Sequence, residues 1–206
     1  MKFFVLQSDV GSSHETAFVP IEPQFKEGLT CPACGRALTD KEWITPLRAE
    51  LRVRRGAALG DVAFAKGLDL LVSDRFLEAW RAEKLSGLHG LKEVEIQKVQ
   101  PKAAAKKGLS RYHLAMAGYG MTQIDSKRSL VAREGEPDCL QCMGGAEVTR
   151  VEGYRIDEPT WSGEDIFVPW GFGGCLVATE RVLATREKYG LTNVRLVPTE
   201  TFVWER

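Results

Sequence analysis

Apolar and polar positions alternate in some stretches of the chain and run continuously in others. Leu47, Ala49, Leu51 and Val53 alternate with Arg48, Glu50, Arg52 and Arg54, the period-two pattern of a strand buried on one face. Tyr112, Leu114 and Met116 alternate with His113 and Ala115 and predict a strand over 110–117. The run Phe3-Phe4-Val5-Leu6 predicts one over 2–7, and further strands fall at 93–98 and 193–197. Phe76 and Trp80 are four apart on one helical face, as are Val182 and Arg186, with Leu183 beside them. Ser73 and Thr179 stand at N-cap positions, Asp74 and Glu180 follow in the first turn, and Gly190 stands where a C-cap belongs. Helices and strands intermix without regular βα alternation, which predicts the α+β class.

The chain also resembles itself. Asp61-Val62-Ala63-Phe64 aligns with Glu164-Asp165-Ile166-Phe167, and Leu71-Val72-Ser73-Asp74-Arg75-Phe76 with Val177-Ala178-Thr179-Glu180-Arg181-Val182. Gly90-Leu91 aligns with Gly190-Leu191, and Phe3-Phe4-Val5-Leu6 with Tyr112-His113-Leu114-Ala115. The ordered series predicts two degenerate copies of a unit of about 100 residues: strand, Cys-x-x-Cys turn, strand, helix, strand. The expected organisation is a first unit at 1–101, a basic connection at 102–108 and a second unit at 109–206, the two forming one compact domain if they pack together. Packed about a pseudo-two-fold axis, the copies would share one zinc-ribbon-like site.

Composition narrows the class. The 206 residues are 44% hydrophobic and 27% charged, close to the globular average, which excludes a disordered or collagen-like chain. Lys plus Arg and Asp plus Glu are each 28, so a nucleic-acid role would rest on a local patch rather than on net charge. The N-terminal apolar run is shorter than a signal-peptide core, and no stretch approaches the roughly 18 apolar residues of a membrane span. A cytoplasmic location is therefore expected, where cysteine pairs serve as ligands or redox centres more often than as staples.

Four of the five cysteines form Cys31-Pro32-Ala33-Cys34-Gly35 and Cys139-Leu140-Gln141-Cys142-Met143. Two thiolates on one tight turn grip an ion from one side, and two such turns complete the tetrahedron zinc prefers. The interval between the pairs greatly exceeds the usual roughly 15–20 residues, a mismatch the duplication repairs in part. Three readings stay open: a shared structural four-cysteine site for one Zn2+ held by Cys31, Cys34, Cys139 and Cys142; unmetallated thiols; and a thioredoxin-like redox pair. Met143 stands where the first turn has Gly35, which predicts distortion of the second turn. Cys175 reads as a buried structural thiol.

No other catalytic constellation is recognisable, and the expected role is not enzymatic. His14, His89 and His113 lack ligand partners at helical spacing, and the chain carries neither a nucleophile-elbow nor a phosphate-loop motif. The loop Pro169-Trp170-Gly171-Phe172-Gly173-Gly174 either presents Trp170 to a partner or folds it into the core. The acidic stretch 147–165, with Asp157, Glu158 and Glu164 around Trp161, either faces a basic partner or is simply solvated.

The two cysteine motifs, the Asp165-Ile166-Phe167 block and the helix leading to Gly190-Leu191-Thr192 resemble the myxobacterial double-CxxCG paralogous family, which looks like a set of immunity proteins of swarm-inhibition toxin systems. The resemblance covers the whole chain in layout and implies a cytoplasmic, non-catalytic binder of a cognate protein toxin, with no membrane partner. Candidate partner contacts are Asp157, Glu158, Trp161, Glu164 and Trp170. The alternative is a zinc-ribbon nucleic-acid module using Arg48, Arg52, Arg54, Arg55 and the lysines of 102–107 against phosphates.

Overall fold

The computed structural model describes residues 1–38, 42–65, 67–105, 108–172 and 174–206. In the first half the strands are β1 (Phe3–Gln7), β2 (Thr16–Pro20), β3 (Gln24–Lys26), β4 (Glu42–Ile44), β5 (Arg48–Val53), β6 (Val62–Phe64) and β7 (Leu70–Ser73). Helix α1 (Asp74–Ala82) and the long strand β8 (Leu88–Gln100) follow. The second half holds α2 (Lys102–Ala105), β9 (Tyr112–Gln123), β10 (Val131–Glu134), β11 (Glu147–Glu152), β12 (Ile166–Trp170), β13 (Leu176–Thr179), α3 (Glu180–Tyr189), β14 (Arg195–Pro198) and β15 (Val203–Glu205).

The chain is mostly β, 42% strand against 15% helix, and this overturns the α+β reading and its repeating strand–helix unit. Ten strands run in the order β14-β1-β13-β12-β9-β7-β6-β2-β5-β8, and β8 also pairs with β9, so six strands close into a barrel. Closure depends on the length of β8. Its first part pairs antiparallel with β9, and its second part pairs parallel with β5. Gly90, which the self-alignment pairs with Gly190, lies inside β8 at a register shift, with φ +68°. A glycine within a strand marks such an irregularity, and here it hides a strand of 13 residues. Five of the barrel strands come from the first half and the sixth, β9, from the second; β10, β11 and β15 form a separate three-stranded sheet.

Strand periodicity divides the side chains among three apolar layers. Leu51, Val53, Leu71, Tyr112 and Leu114 fill the barrel interior. Val72, Ala115, Ile166 and Ala178 point the other way, beneath Phe76 and Trp80 of α1 and Val182 of α3. Phe3, Val5, Phe167 and Val177 pack against Tyr154, Phe172 and Phe202 on the remaining face. Strands covered on both faces are apolar at every position, which accounts for the continuous runs of β1, β7, β12 and β13. The basic connection is not merely solvated: Ala104 of α2 is buried in the barrel layer, while Lys106 and Lys107 lie outside the described residues.

Local correspondence between the halves is narrower than a shared unit, but around the two helices the Asp–hydroxyl and Asp–Arg bonds recur, although Thr179 makes no side-chain cap bond to α3 as Ser73 does to α1. The side chain of Ser73 accepts a hydrogen bond from the Phe76 N–H at the start of α1 and donates to Asp61 Oδ1 at 2.9 Å. Asp61 Oδ2 also accepts from Arg75 and from both the backbone and side chain of Thr192. At the corresponding place Thr179 donates to Asp165 Oδ1 at 2.8 Å, and Asp165 Oδ2 accepts from Arg181 and Ser86. The clamps are reciprocal. Arg75 donates to the carbonyls of Tyr189 and Gly190 at the end of α3, and Arg181 to those of Glu83 and Lys84 at the end of α1. Each helix thus has its orphan C-terminal carbonyls met by a cation from the other half. The counterpart of Gly190 is Lys84, left-handed at φ +52°, and not Gly90. Asp165 is 1% exposed. Replacing it by alanine strands the buried Thr179 hydroxyl and the Ser86 N–H, while the half-exposed Arg181 keeps water and the α1 carbonyls, so Asp165→Ala is expected to lower the unfolding free energy by about 2–3 kcal/mol in urea titrations.

Candidate metal centre

The first cysteine turn lies between β3 and β4. A bridge between Thr30 and Ala37 closes it, with Cys31 N–H donating to Arg36 O and Gly35 N–H to Cys31 O, both at 2.8 Å. The second lies between β10 and β11, where Asp138 N–H donates to Gly144 O at 2.7 Å. Gly35 has φ +72° and Met143 has φ +54°. The second turn therefore keeps the left-handed step, and the side chain of Met143 does not remove it. Gly144 leaves room for Arg36, whose Cδ would lie 2.7 Å from an added Cβ. Arg36 in turn pairs with Asp138 at 2.7 Å, linking the two turns on their exposed side.

This packing brings together residues 108 apart in sequence. Cys31 Sγ lies 4.0 Å from Cys139 Sγ, Cys34 Sγ lies 3.7 Å from Cys142 Sγ, and all four sulphurs fall within 4.8 Å of one another. A tetrahedron with metal–sulphur bonds of about 2.3 Å has edges of about 3.8 Å, so the donor set fits one Zn2+ in size as well as in chemistry. The four cysteines form a single zinc site. Four thiolates leave no position for water, which makes it structural rather than catalytic. Cys31, Cys139 and Cys142 are buried and Cys34 is exposed. The backbone N–H groups of Cys142 and Gln141 point at the Cys139 sulphur and bring its thiol down to about 7, while burial pushes Cys142 up to about 12. A bound dication overrides the second effect, because a coordinating thiol is deprotonated outright.

Trp170, at the end of β12, is turned inward. It is 8% exposed, packs with Cys31, Cys139 and Cys142, and donates its indole N–H to Gln141 O. Of its two sequence readings, the structure has the buried one; Gly173 of the same loop lies outside the described residues. Trp161 is half-buried, edge-on to Phe3 at 5.7 Å, and its indole N–H meets Glu164 O. Glu164 accepts from Ser162. Asp157 precedes a short 3-10 turn at Glu158–Thr160, and exposed Glu158 lies 3.4 Å from the N-terminal amine. These four acidic-loop residues share one neighbourhood away from the cysteines. The basic stretch is compensated in part: Arg48 pairs with Glu95, Arg52 with Glu50 and Arg54 with Glu15. Cys175 is half-buried, and burial pushes its thiol up to about 11.

Beside the metal site lies a cavity of 610 Å³, walled by both cysteine turns, β1 and β13. Its half-buried Arg133 was not singled out in the sequence, although a signal exists. Arg133 shares a strand face with Val131, so a cation sits where the alternation calls for an inward residue.

No family model matches the chain, and no curated protein matches it. Among the described residues no helix is long and apolar enough to cross a membrane.

Two measurements test the centre. Cys31→Ser is expected to release the metal and lower the melting temperature, and a chelator should do the same to the unaltered protein. Elemental analysis and thermal unfolding read both; unchanged melting would rule out a structural metal. Met143→Gly removes a left-handed methionine, worth about 1–2 kcal/mol of strain, but adds unfolded-state freedom worth about 0.5–1 kcal/mol. It should therefore keep one zinc per chain and leave stability within about 1 kcal/mol of the parent.

Proposed function

We propose that this is an immunity protein, which binds a cognate protein toxin in the cytoplasm and neutralises it. The observation that carries the reading is the convergence of the two Cys-x-x-Cys turns. These motifs carry the resemblance to the double-CxxCG family, and a closed four-cysteine centre gives the pair one purpose: to hold a binding scaffold in shape. The zinc takes no part in chemistry on the partner. The acidic loop with Asp157, Glu158, Trp161 and Glu164 offers a surface for a basic partner, and complementary charge there raises the association rate. The nucleic-acid reading draws no such support, because Arg48, Arg52 and Arg54 already face carboxylates.

The test is co-expression. The polypeptide encoded beside this one is produced in a naive host, with and without the protein, and growth and co-purification are scored. Growth arrest relieved together with a stable complex is the expected result. Rescue without a complex would overturn direct binding. In that complex the double change Asp157→Lys with Glu158→Lys should weaken affinity at least tenfold, mainly through slower association.

A further inference from the structure

The cavity beside the cysteines has a chemistry of its own. Its volume lies within the range of small-molecule sites. Most of its wall is apolar: Leu38, Phe64, Leu68, Phe172, Leu176 and Trp204 all contribute. Two cations also reach it. Arg36 is already satisfied by Asp138. Arg133 is not: among the described residues its one side-chain hydrogen bond is that from Nη2 to the carbonyl of Gly171, at 2.6 Å. Among the described residues no carboxylate lies within ion-pair distance of it. Burial without a compensating anion also draws the guanidinium below its usual range, though not far enough to discharge it.

A guanidinium has five donors in a planar fork, and removing half of it from water is costly unless an anion replaces the lost hydration. Here the free donors border an apolar chamber, and Arg133 also lines the adjoining groove beside Gln141 and Trp170. We propose that the cavity binds a small amphipathic anion, an apolar body carrying one carboxylate or sulfonate, with Arg133 as its counter-ion. Arg–carboxylate pairing is bidentate and directional, which places the anionic head at β10 and the apolar body toward Leu68 and Leu176. A polyphosphate fits poorly, since among the described residues one unpaired cation faces a largely apolar wall that also carries Glu147, itself paired with Arg206. The site includes none of Asp157, Glu158, Trp161 and Glu164, so it does not depend on the toxin reading.

Because Leu38 follows the first cysteine turn and Met143 belongs to the second, metal and ligand share walls. Binding at either place is then linked to the other.

The test uses the full zinc-loaded chain and two fluorescent probes of nearly the same body. One is 1-anilinonaphthalene-8-sulfonate, and the other is N-phenyl-1-naphthylamine, which lacks the sulfonate. The sulfonate probe should saturate at one site per chain and be displaced by decanoate at least tenfold more effectively than by decanol. Arg133→Met should weaken the sulfonate probe and decanoate at least tenfold and leave the neutral probe within twofold. Arg133→Lys should fall between, because it keeps charge without the planar fork. Equal displacement by decanoate and decanol, or unchanged sulfonate binding in Arg133→Met, would overturn the proposal. If Arg133→Met fails to fold, the decanoate–decanol comparison on the unaltered protein decides alone. Chelation should weaken sulfonate-probe binding in parallel with zinc loss.

Discussion

Four thiols drawn from two distant turns are the joint on which this architecture depends. Among the described residues the buried cluster around them contains only Cys31, Cys139, Cys142 and Trp170, with Leu38 against its side. So few apolar groups offer little burial energy to hold two loops together. The Arg36–Asp138 pair adds little, since exposed ion pairs contribute at most about 1 kcal/mol. A metal ion bound by all four thiolates supplies what burial cannot: a cross-link that closes a loop of more than a hundred residues. Its free energy of binding becomes free energy of folding, because the unfolded chain has no preformed site.

The second organising element lies on the opposite side of the sheet, in the helix layer. Asp61 and Asp165 each gather a hydroxyl, an arginine and a backbone N–H from a neighbouring turn. Each arginine then reaches across to the end of the other helix. Neither clamp is complete within its own half. The strand pairing has the same exchange, for β1 joins β13 and β9 joins β7. The halves are thus held by interlocked backbone ladders, buried carboxylates and one metal centre, and the barrel itself is closed by β9 of the second half.

These constraints suit a protein that acts by presenting surfaces. The zinc centre fixes the positions of two loops without offering the ion to substrate, and both loops wall the cavity next to it. The acidic loop is held by Trp161 packed on Phe3 rather than by the metal. The partner recognition proposed at that loop and the small-anion binding proposed at Arg133 therefore rest on different supports, and one can fail without the other.

Much of the local structure was legible in the residues. The alternation at 47–53 is strand β5, the apolar run at 3–6 lies in β1, and Ser73 caps α1. The four metal ligands were legible too, because the pairing of cysteines two residues apart is a chemical signal that survives without coordinates. The fold class was not. Continuous apolar strands and short buried helices look alike in periodicity, and the alignment of Gly90 with Gly190 hid that β8 begins at Leu88 and not at 93. Whether Trp170 faces a partner or a core depends on where the second cysteine turn lands, a matter of long-range packing. Arg133 could be read as one charge among many until the chamber around it removed its water. Sequence alone determined the ligands and the faces of the strands, since both follow from nearest neighbours along the chain. Barrel closure, the crossed Asp–Arg clamps and the uncompensated cation were decided only by tertiary structure, because each depends on groups that sequence distance keeps apart.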